Sequence, residues 1–122
     1  MTDARSFLPL SPQQFQILLA LADGDRHGYG IIREIEERTS GAVRLGTGTL
    51  YTAIARLEEL ELVEPSTRRP RTGDDERRKY YRLTDVGAAV LHAETARLEA
   101  LVRQARRKGV HASARPVWSR TK

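Results

Sequence analysis

Short hydroxyl side chains and one arginine share a face of a predicted helix in the middle of the chain. At a helical period, Thr49, Thr52, Arg56 and Glu59 lie on one side of the stretch 46–62, and an apolar stripe lies on the other. Hydroxyl groups form hydrogen bonds, and an arginine can contact the edge of guanine with two parallel bonds. Taken alone, the stretch also fits an ordinary amphipathic surface helix, so the neighbouring elements decide. The apolar stripe comprises Leu50, Ile54, Leu57 and Leu60.

The composition predicts one small globular domain. The chain has 122 residues, of which 39% are hydrophobic and 30% charged, and this is enough for a single core. It contains no cysteine, which excludes disulfides, thiol redox sensing and cysteine-rich zinc sites. No apolar run reaches the ~18 residues of a membrane span, and the Met-Thr-Asp start does not resemble a signal peptide. We therefore expect a cytoplasmic protein with no membrane partner.

Positive charge is concentrated in the C-terminal half. The net charge is +5; residues 1–62 hold six basic and nine acidic side chains, whereas residues 86–122 hold eight and two. Such a balance indicates a polyanionic partner, although basic residues are also common on solvated surfaces.

Two helices are predicted before the central stretch. Ser11 and Gln14 form a capping box around Pro12, and an apolar period then continues to a turn at 23–25. Residues 1–10 carry little pattern, and we expect a flexible or loosely packed segment there. The second helix spans about 29–39, with its apolar face formed by Ile31, Ile32 and Ile35.

A short strand and a turn flank that second helix. Alternation at Val43 and Leu45 predicts a strand just before the central helix, which we place at about 47–61. His27 precedes the second helix, where we expect it to pack or to cap the helix. No carboxylate or second histidine has metal-ligand spacing around it, so we predict no metal site.

After the central helix the period changes to that of strands. Residues 62–66 and 79–84 predict an antiparallel hairpin, and 67–78 are too polar to pack. A solvated loop is the simpler interpretation of such a charge run, but its position beside the central helix favours a phosphate-binding wing. The wing residues are Arg68, Arg69, Arg71, Arg77, Arg78 and Lys79.

A long last helix is predicted at about 85–108, capped by Thr84 and ended by Gly109. Its apolar residues cover more than one face, so one face can return to the domain and another can bind a second copy of the chain. Residues 109–122 are basic and unpatterned, and we expect disorder there, with no role assigned to Trp118. The predicted dimerisation residues are Val90, Leu91, Leu98, Leu101, Val102 and Ala105.

These elements predict a mainly α fold with a small β-hairpin wing. Residues 11–84 form a winged helix-turn-helix domain, whose third helix enters the major groove of DNA, and 85–108 form a dimerisation helix. The partners expected are double-stranded DNA and a second copy of the chain.

The sequence also resembles the PadR family of transcriptional regulators, in its short subfamily with one C-terminal helix. The resemblance implies a homodimeric repressor that releases DNA when a small ligand or a stress signal arrives. It covers about residues 10–100, and the matching motifs are 17–22, His27-Gly28-Tyr29, Gly48-Thr49-Leu50-Tyr51, Arg56-Leu57-Glu58, and 78–84 with Gly87.

The resemblance places the start of the recognition helix at Gly48. Arg56 is the best candidate for a contact to guanine, and Tyr51 either reaches a phosphate through its hydroxyl or packs its ring. Two heads related by a two-fold axis imply a palindromic operator with half-sites about 34 Å apart. The predicted contacts of this helix are Thr47, Gly48, Thr49, Tyr51, Thr52 and Arg56.

Three positions depart from the family pattern. Glu61 stands where a glycine usually ends the recognition helix, so we expect a less sharp end. Gly46 stands where a serine-like cap is common, which weakens the helix start by about 1 kcal/mol or less. Gly30 replaces a better helix former.

Two rival functions remain. Catalysis is disfavoured because no phosphate-binding glycine loop follows a strand and no Ser, His and acid set has the spacing of a local catalytic motif. A protein-interaction module on a winged-helix scaffold is the second rival. We predict no cofactor. The last helix contains no Phe, Trp or Tyr, so it does not support a pocket with aromatic walls, and we leave any small-molecule effector unidentified. The histidines His27, His92 and His111 lie in three different elements.

Overall fold

Helices and a small sheet alternate along the chain in the order expected of a winged helix. The structure, a computed structural model, describes residues 3–67 and 78–112. The elements are α1 (Pro12–Ala20), β1 (Arg26–His27), α2 (Gly28–Arg38), α3 (Thr47–Glu59), β2 (Val63–Pro65), β3 (Tyr80–Leu83) and α4 (Asp85–Arg107). The strands pair antiparallel in the order β1-β3-β2, which confirms the mainly α fold with a hairpin wing.

The core lies where the inner faces of α1, α2 and α3 meet the sheet and the start of α4. Full burial of an aliphatic side chain contributes about 1.5–3 kcal/mol, so these residues hold the three helices together. The apolar stripe predicted for α3 is confirmed, with Leu60 half-buried at its C-cap. The fully buried helix residues include Ile17, Leu18, Ile31, Ile35, Leu50, Ile54 and Leu57.

Both predicted N-caps are confirmed. The Ser11 hydroxyl accepts from the Gln14 N–H at 3.1 Å, and the Gln14 side chain accepts from the Ser11 N–H at 3.0 Å. Thr84 accepts from the Gly87 N–H at 2.9 Å and starts α4. Gly109, with φ 85°, ends α4 as predicted. Within the described ranges, no helix is long and apolar enough to cross a bilayer.

The strand predicted at Val43 and Leu45 is wrong. The Val43 N–H donates to the Thr39 hydroxyl at 3.0 Å, and Leu45 is buried among the helices. The free edge of β3 is occupied by β1 instead, with Arg26 opposite Tyr81. A strand of two residues is too short to show a readable period.

The flexible segment predicted at residues 1–10 is also wrong for residues 3–10. Ala4–Phe7 form one turn of 3-10 helix that packs on α4. Leu10 is buried, and its N–H donates to the Glu94 carboxylate at 2.9 Å. The segment is held by contacts with residues more than eighty positions away, which a local pattern does not reveal.

Helix α3 ends sharply although Glu61 replaces the usual glycine. Glu61 adopts a left-handed conformation with φ 62°. The Leu62 N–H then donates to the Leu57 carbonyl, and the Glu61 N–H to the Glu58 carbonyl, both at 2.9 Å. This is the bond pattern that a C-terminal glycine normally completes. The expectation of a less sharp end is therefore wrong, and the turn is made at a conformational cost.

Replacing Glu61 with glycine is expected to raise the free energy of unfolding by about 0.5–1 kcal/mol. A side chain in the left-handed region costs roughly 1–2 kcal/mol, and glycine's extra freedom in the unfolded chain offsets part of that gain. Urea unfolding at fixed protein concentration measures the difference. Glu59→Gly is the control, because Glu59 is helical and exposed, and it should lose about 1 kcal/mol. An unchanged or lower stability for Glu61→Gly contradicts the prediction.

Candidate nucleic-acid interface

The outward face of α3 carries the residues predicted to contact DNA. All of them are exposed, while Leu50, Ile54 and Leu57 of the opposite face are buried. The helix begins after Gly46, which supplies no side-chain cap, as the sequence predicted. A polar face on a rigid, buried stripe is a suitable platform for reading a groove. The exposed residues are Thr47, Gly48, Thr49, Tyr51, Thr52 and Arg56.

Arg56 is the one cation on this face. Its side chain is 62% exposed, and its guanidinium lies 3.9 Å from the Glu59 carboxylate. An exposed pair at that distance contributes well under 1 kcal/mol. Arg56 can therefore exchange this partner for a base edge or a phosphate at little cost.

The N-terminal half of α3 shares a groove with the start of α1. Thr49, Thr52 and Arg56 line one wall of this groove, and Ser11, Gln13 and Gln14 line the other. No carboxylate is among the described residues that line it. Sequence patterns did not predict that α1 contributes here, because the contact is tertiary and the period of neither helix reveals it.

The C-terminal end of α3 borders a groove of opposite character. This groove is lined by four carboxylates, those of Glu58, Glu61, Glu64 and Asp85. Among the described residues that line it, Arg82 carries the positive charge. Arg82 donates to the Glu64 carboxylate at 2.9 Å, so its charge is already matched. The two ends of α3 thus differ in potential, and a polyanion is favoured at the N-terminal half, where the helix dipole is also positive.

Tyr51 connects α3 to α2 and to the wing. Its ring lies so close to Gly28 that a Cβ at position 28 would fall 2.6 Å from the Tyr51 Cζ. Burial, then the nearby Tyr51 and Glu58, raise the pKa of the Tyr81 hydroxyl. The Tyr51 side chain nevertheless remains exposed. The structure shows the packing, and a phosphate contact by the hydroxyl stays a prediction.

The base of the wing carries two exposed cations. The Arg78 guanidinium lies 3.1 Å from the His27 ring, and the Lys79 amine lies 5.6 Å from the centre of the Tyr81 ring. His27 accepts from the Gly30 N–H at 2.9 Å and caps α2, which confirms its predicted structural role. Among the described residues, no cluster of His, Cys, Asp or Glu is suited to a metal ion. The remaining wing residues, Arg68, Arg69, Arg71 and Arg77, lie outside the described residues.

The predicted dimerisation residues divide into two groups. Val90 and Leu91 are buried in the core of a single chain, so neither is available to a partner, and their assignment is corrected. The heptad spacing did not distinguish the buried Val90 and Leu91 from the exposed apolar residues of α4, because apolar side chains occur on more than one face of that helix. The second group of predicted dimerisation residues is Leu98, Leu101 and Val102, which are 37%, 46% and 48% exposed, with Ala105 half-buried.

Trp118 and the rest of residues 113–122 lie outside the described residues.

One family model and two other proteins match this chain in sequence. A family model described as the transcriptional regulator PadR-like family matches residues 17–93. Uncharacterized protein X of Lysinibacillus sphaericus is 39% identical over 75 residues, which cover 62% of this chain and 67% of that protein. An uncharacterized 37.1 kDa protein in transposon TN4556 of Streptomyces fradiae is 43% identical over 66% of this chain, but the match spans only 21% of that relative.

Solved structures match over most of the chain. A transcriptional regulator from Clostridium thermocellum superposes with a TM-score of 0.65 and 29% identity, covering 88% of this chain and 93% of that one. A PadR family transcription regulator from Clostridium difficile R20291 gives a TM-score of 0.67 at 26% identity, covering 80% and 97%. The likeness therefore includes the helices, the sheet and the long last helix.

Proposed function

This chain belongs to the PadR-like family of transcriptional regulators, which bind DNA and are not enzymes, and on that premise we propose that it is a homodimeric repressor of a palindromic operator. The observation that carries the proposal is the exposed, hydroxyl-rich face of α3 with Arg56, fixed by three buried aliphatic residues.

Each group on the α3 face has a role in this proposal. Arg56 makes two hydrogen bonds to a guanine, and Thr47, Thr49 and Thr52 bind neighbouring base edges or phosphates. Gly48 allows close approach of the backbone. Arg78 and Lys79 at the base of the wing, with the other wing cations, contact phosphates and supply most of the affinity.

The dimer is supported by α4. Leu98, Leu101, Val102 and Ala105 form an apolar stripe that residues 3–67 and 78–112 of a single chain leave largely uncovered, and a second copy of the same helix can cover it. A two-fold axis between the chains places two α3 helices in successive major grooves about 34 Å apart. A ligand or stress signal that repacks this stripe would change that spacing and release the DNA.

Replacing Arg56 with alanine is expected to weaken binding to the operator by about 5-fold to 150-fold, which corresponds to the 1–3 kcal/mol of a good bidentate contact. Binding to random DNA should change far less, because it depends on phosphate contacts. Fluorescence anisotropy with an operator and a scrambled duplex measures both. Arg5→Ala is the matched control, since Arg5 is also exposed and paired with a carboxylate. Equal losses on both duplexes would mean that Arg56 contacts phosphate and does not read a base.

The rival function is a protein-interaction module that uses the winged helix only as a scaffold. The apolar stripe on α4 is compatible with such a role. Salt dependence separates the two, because each phosphate contact steepens the fall of log affinity with log salt by about 0.9. A nucleic-acid affinity that does not change with salt would favour the interaction module.

A further inference from the structure

The two grooves beside α3 restrict how a duplex can lie on this protein. At its C-terminal end the helix is bordered by the carboxylates of Glu58, Glu61, Glu64 and Asp85. At its N-terminal half it shares an acid-free groove with Ser11, Gln13 and Gln14 of α1. A polyanion is repelled from the first groove and not from the second, so electrostatics tilt the duplex toward α1.

Gln13 is the residue of α1 best placed to meet that duplex. In the capping box the Ser11 hydroxyl oxygen and the Gln14 side-chain oxygen each accept from the other residue's backbone N–H, which fixes both side chains at the cap, and Pro12 has no N–H. The Phe15 N–H donates to the Ser11 carbonyl at 3.0 Å. Gln13 takes no part in the capping box, so its side-chain amide can turn toward a ligand, and that side chain is exposed at the groove.

We propose that a backbone phosphate flanking the half-site binds in the groove between α1 and α3, contacted by Gln13. The duplex then rests on two supports, α1 on one side of the recognition helix and the wing on the other. This contact rests on the proposed function, because it needs α3 in the major groove. Neither Gln13 nor α1 was among the residues predicted to contact DNA.

Charge substitutions at Gln13 test the contact. Gln13→Lys should bind the operator about threefold to tenfold more tightly at about 0.1 M salt and should steepen the log–log salt slope by about 0.9. Gln13→Glu should weaken binding by a similar factor. The folding effects run the other way, because a cation at a helix N-terminus is unfavourable and an anion is favourable. The melting temperature should therefore fall slightly for the lysine variant and rise slightly for the glutamate variant.

Gln104→Lys and Gln104→Glu are the matched controls. Gln104 is an exposed glutamine on α4, about 28 Å along the helix from Asp85 at 1.5 Å per residue, well beyond the ~10 Å screening length at this salt. Its variants should change affinity less than twofold. Equal effects at positions 13 and 104, or affinities that follow the melting temperatures, would overturn the Gln13 contact alone. No operator binding by the unmodified protein would overturn the contact and the proposed function together.

Discussion

Replacing Gly87 with alanine is expected to lower the free energy of unfolding by about 3 kcal/mol or more. Gly87 lies in the first turn of α4, where the helix backbone rests on Leu62, in the turn between α3 and β2. A Cβ added there would overlap the Leu62 carbonyl oxygen and lie 2.9 Å from the carbonyl carbon. Leu62 is fully buried, and its carbonyl accepts from the Thr84 N–H at 3.1 Å. Because neither backbone can move without breaking that contact, the clash is not relieved.

Thermal or urea unfolding of Gly87→Ala at fixed protein concentration measures the loss. Gly48→Ala is the matched control, because a Cβ at Gly48 of α3 meets nothing within 4 Å. That substitution should raise stability by about 0.5–1 kcal/mol through helix propensity alone. A Gly87→Ala protein within 1 kcal/mol of the unmodified chain would show that the first turn of α4 is not locked against Leu62.

Replacing Glu94 with alanine is expected to cost about 2 kcal/mol at pH 7, because hydrogen bonds to a buried charge contribute about 1.5–3 kcal/mol. Glu94 is 2% exposed. Its carboxylate accepts from the Leu10 N–H at 2.9 Å and from the Arg97 guanidinium at 2.5 and 3.0 Å. The loss is below that of a fully buried ion pair because Arg97 is partly exposed. Removing the Glu94 carboxylate also removes the hydrogen bond that holds residues 3–10 against α4.

The same carboxylate makes stability depend on pH. The Arg97 hydrogen bonds, and then the Leu10 N–H, lower the pKa of Glu94 against the opposing effect of burial. A carboxyl whose pKa is lower in the folded protein stabilises it above the unfolded pKa, near 4.5, and this contribution is lost as the pH falls further. Unfolding of Glu94→Gln and the unmodified protein should therefore differ at pH 7 and converge toward pH 3. A difference that stays constant over that range would contradict the role of the charged form.

Local signals in the sequence predicted most of the fold. The Ser11 and Gln14 capping box, the apolar stripe of α3 and the strand at 80–83 each depend on residues close in the chain, and each is confirmed. The alternation predicted within that strand is wrong, because the consecutive Tyr80 and Tyr81 are both buried. The errors share a different cause. Strand β1 is two residues long and exists because β3 has a free edge, and residues 3–10 are held by Glu94, 84 positions from Leu10.

In the candidate site, too, the features that depend on local spacing were predicted, and those that depend on tertiary packing were not. The polar face of α3 follows from helical spacing, and the structure exposes it. The groove shared with α1, and the closeness of Tyr51 to Gly28, arise only when separate helices pack. An apolar period on α4 likewise does not distinguish the core residue Val90 from the exposed Leu101. Spacing predicts which face is apolar, but only the fold determines which part of that face is covered.

Selection of bound sequences from a random pool of double-stranded DNA, with the purified protein, tests the central claim most directly. If α3 reads bases in a two-fold symmetric dimer, the enriched sequences will contain inverted half-sites whose centres are about 10 base pairs apart. Their affinity will also fall steeply as salt is raised. A pool in which no sequence is enriched after repeated rounds, with binding that does not respond to salt, would contradict the assignment of α3 as a reading helix.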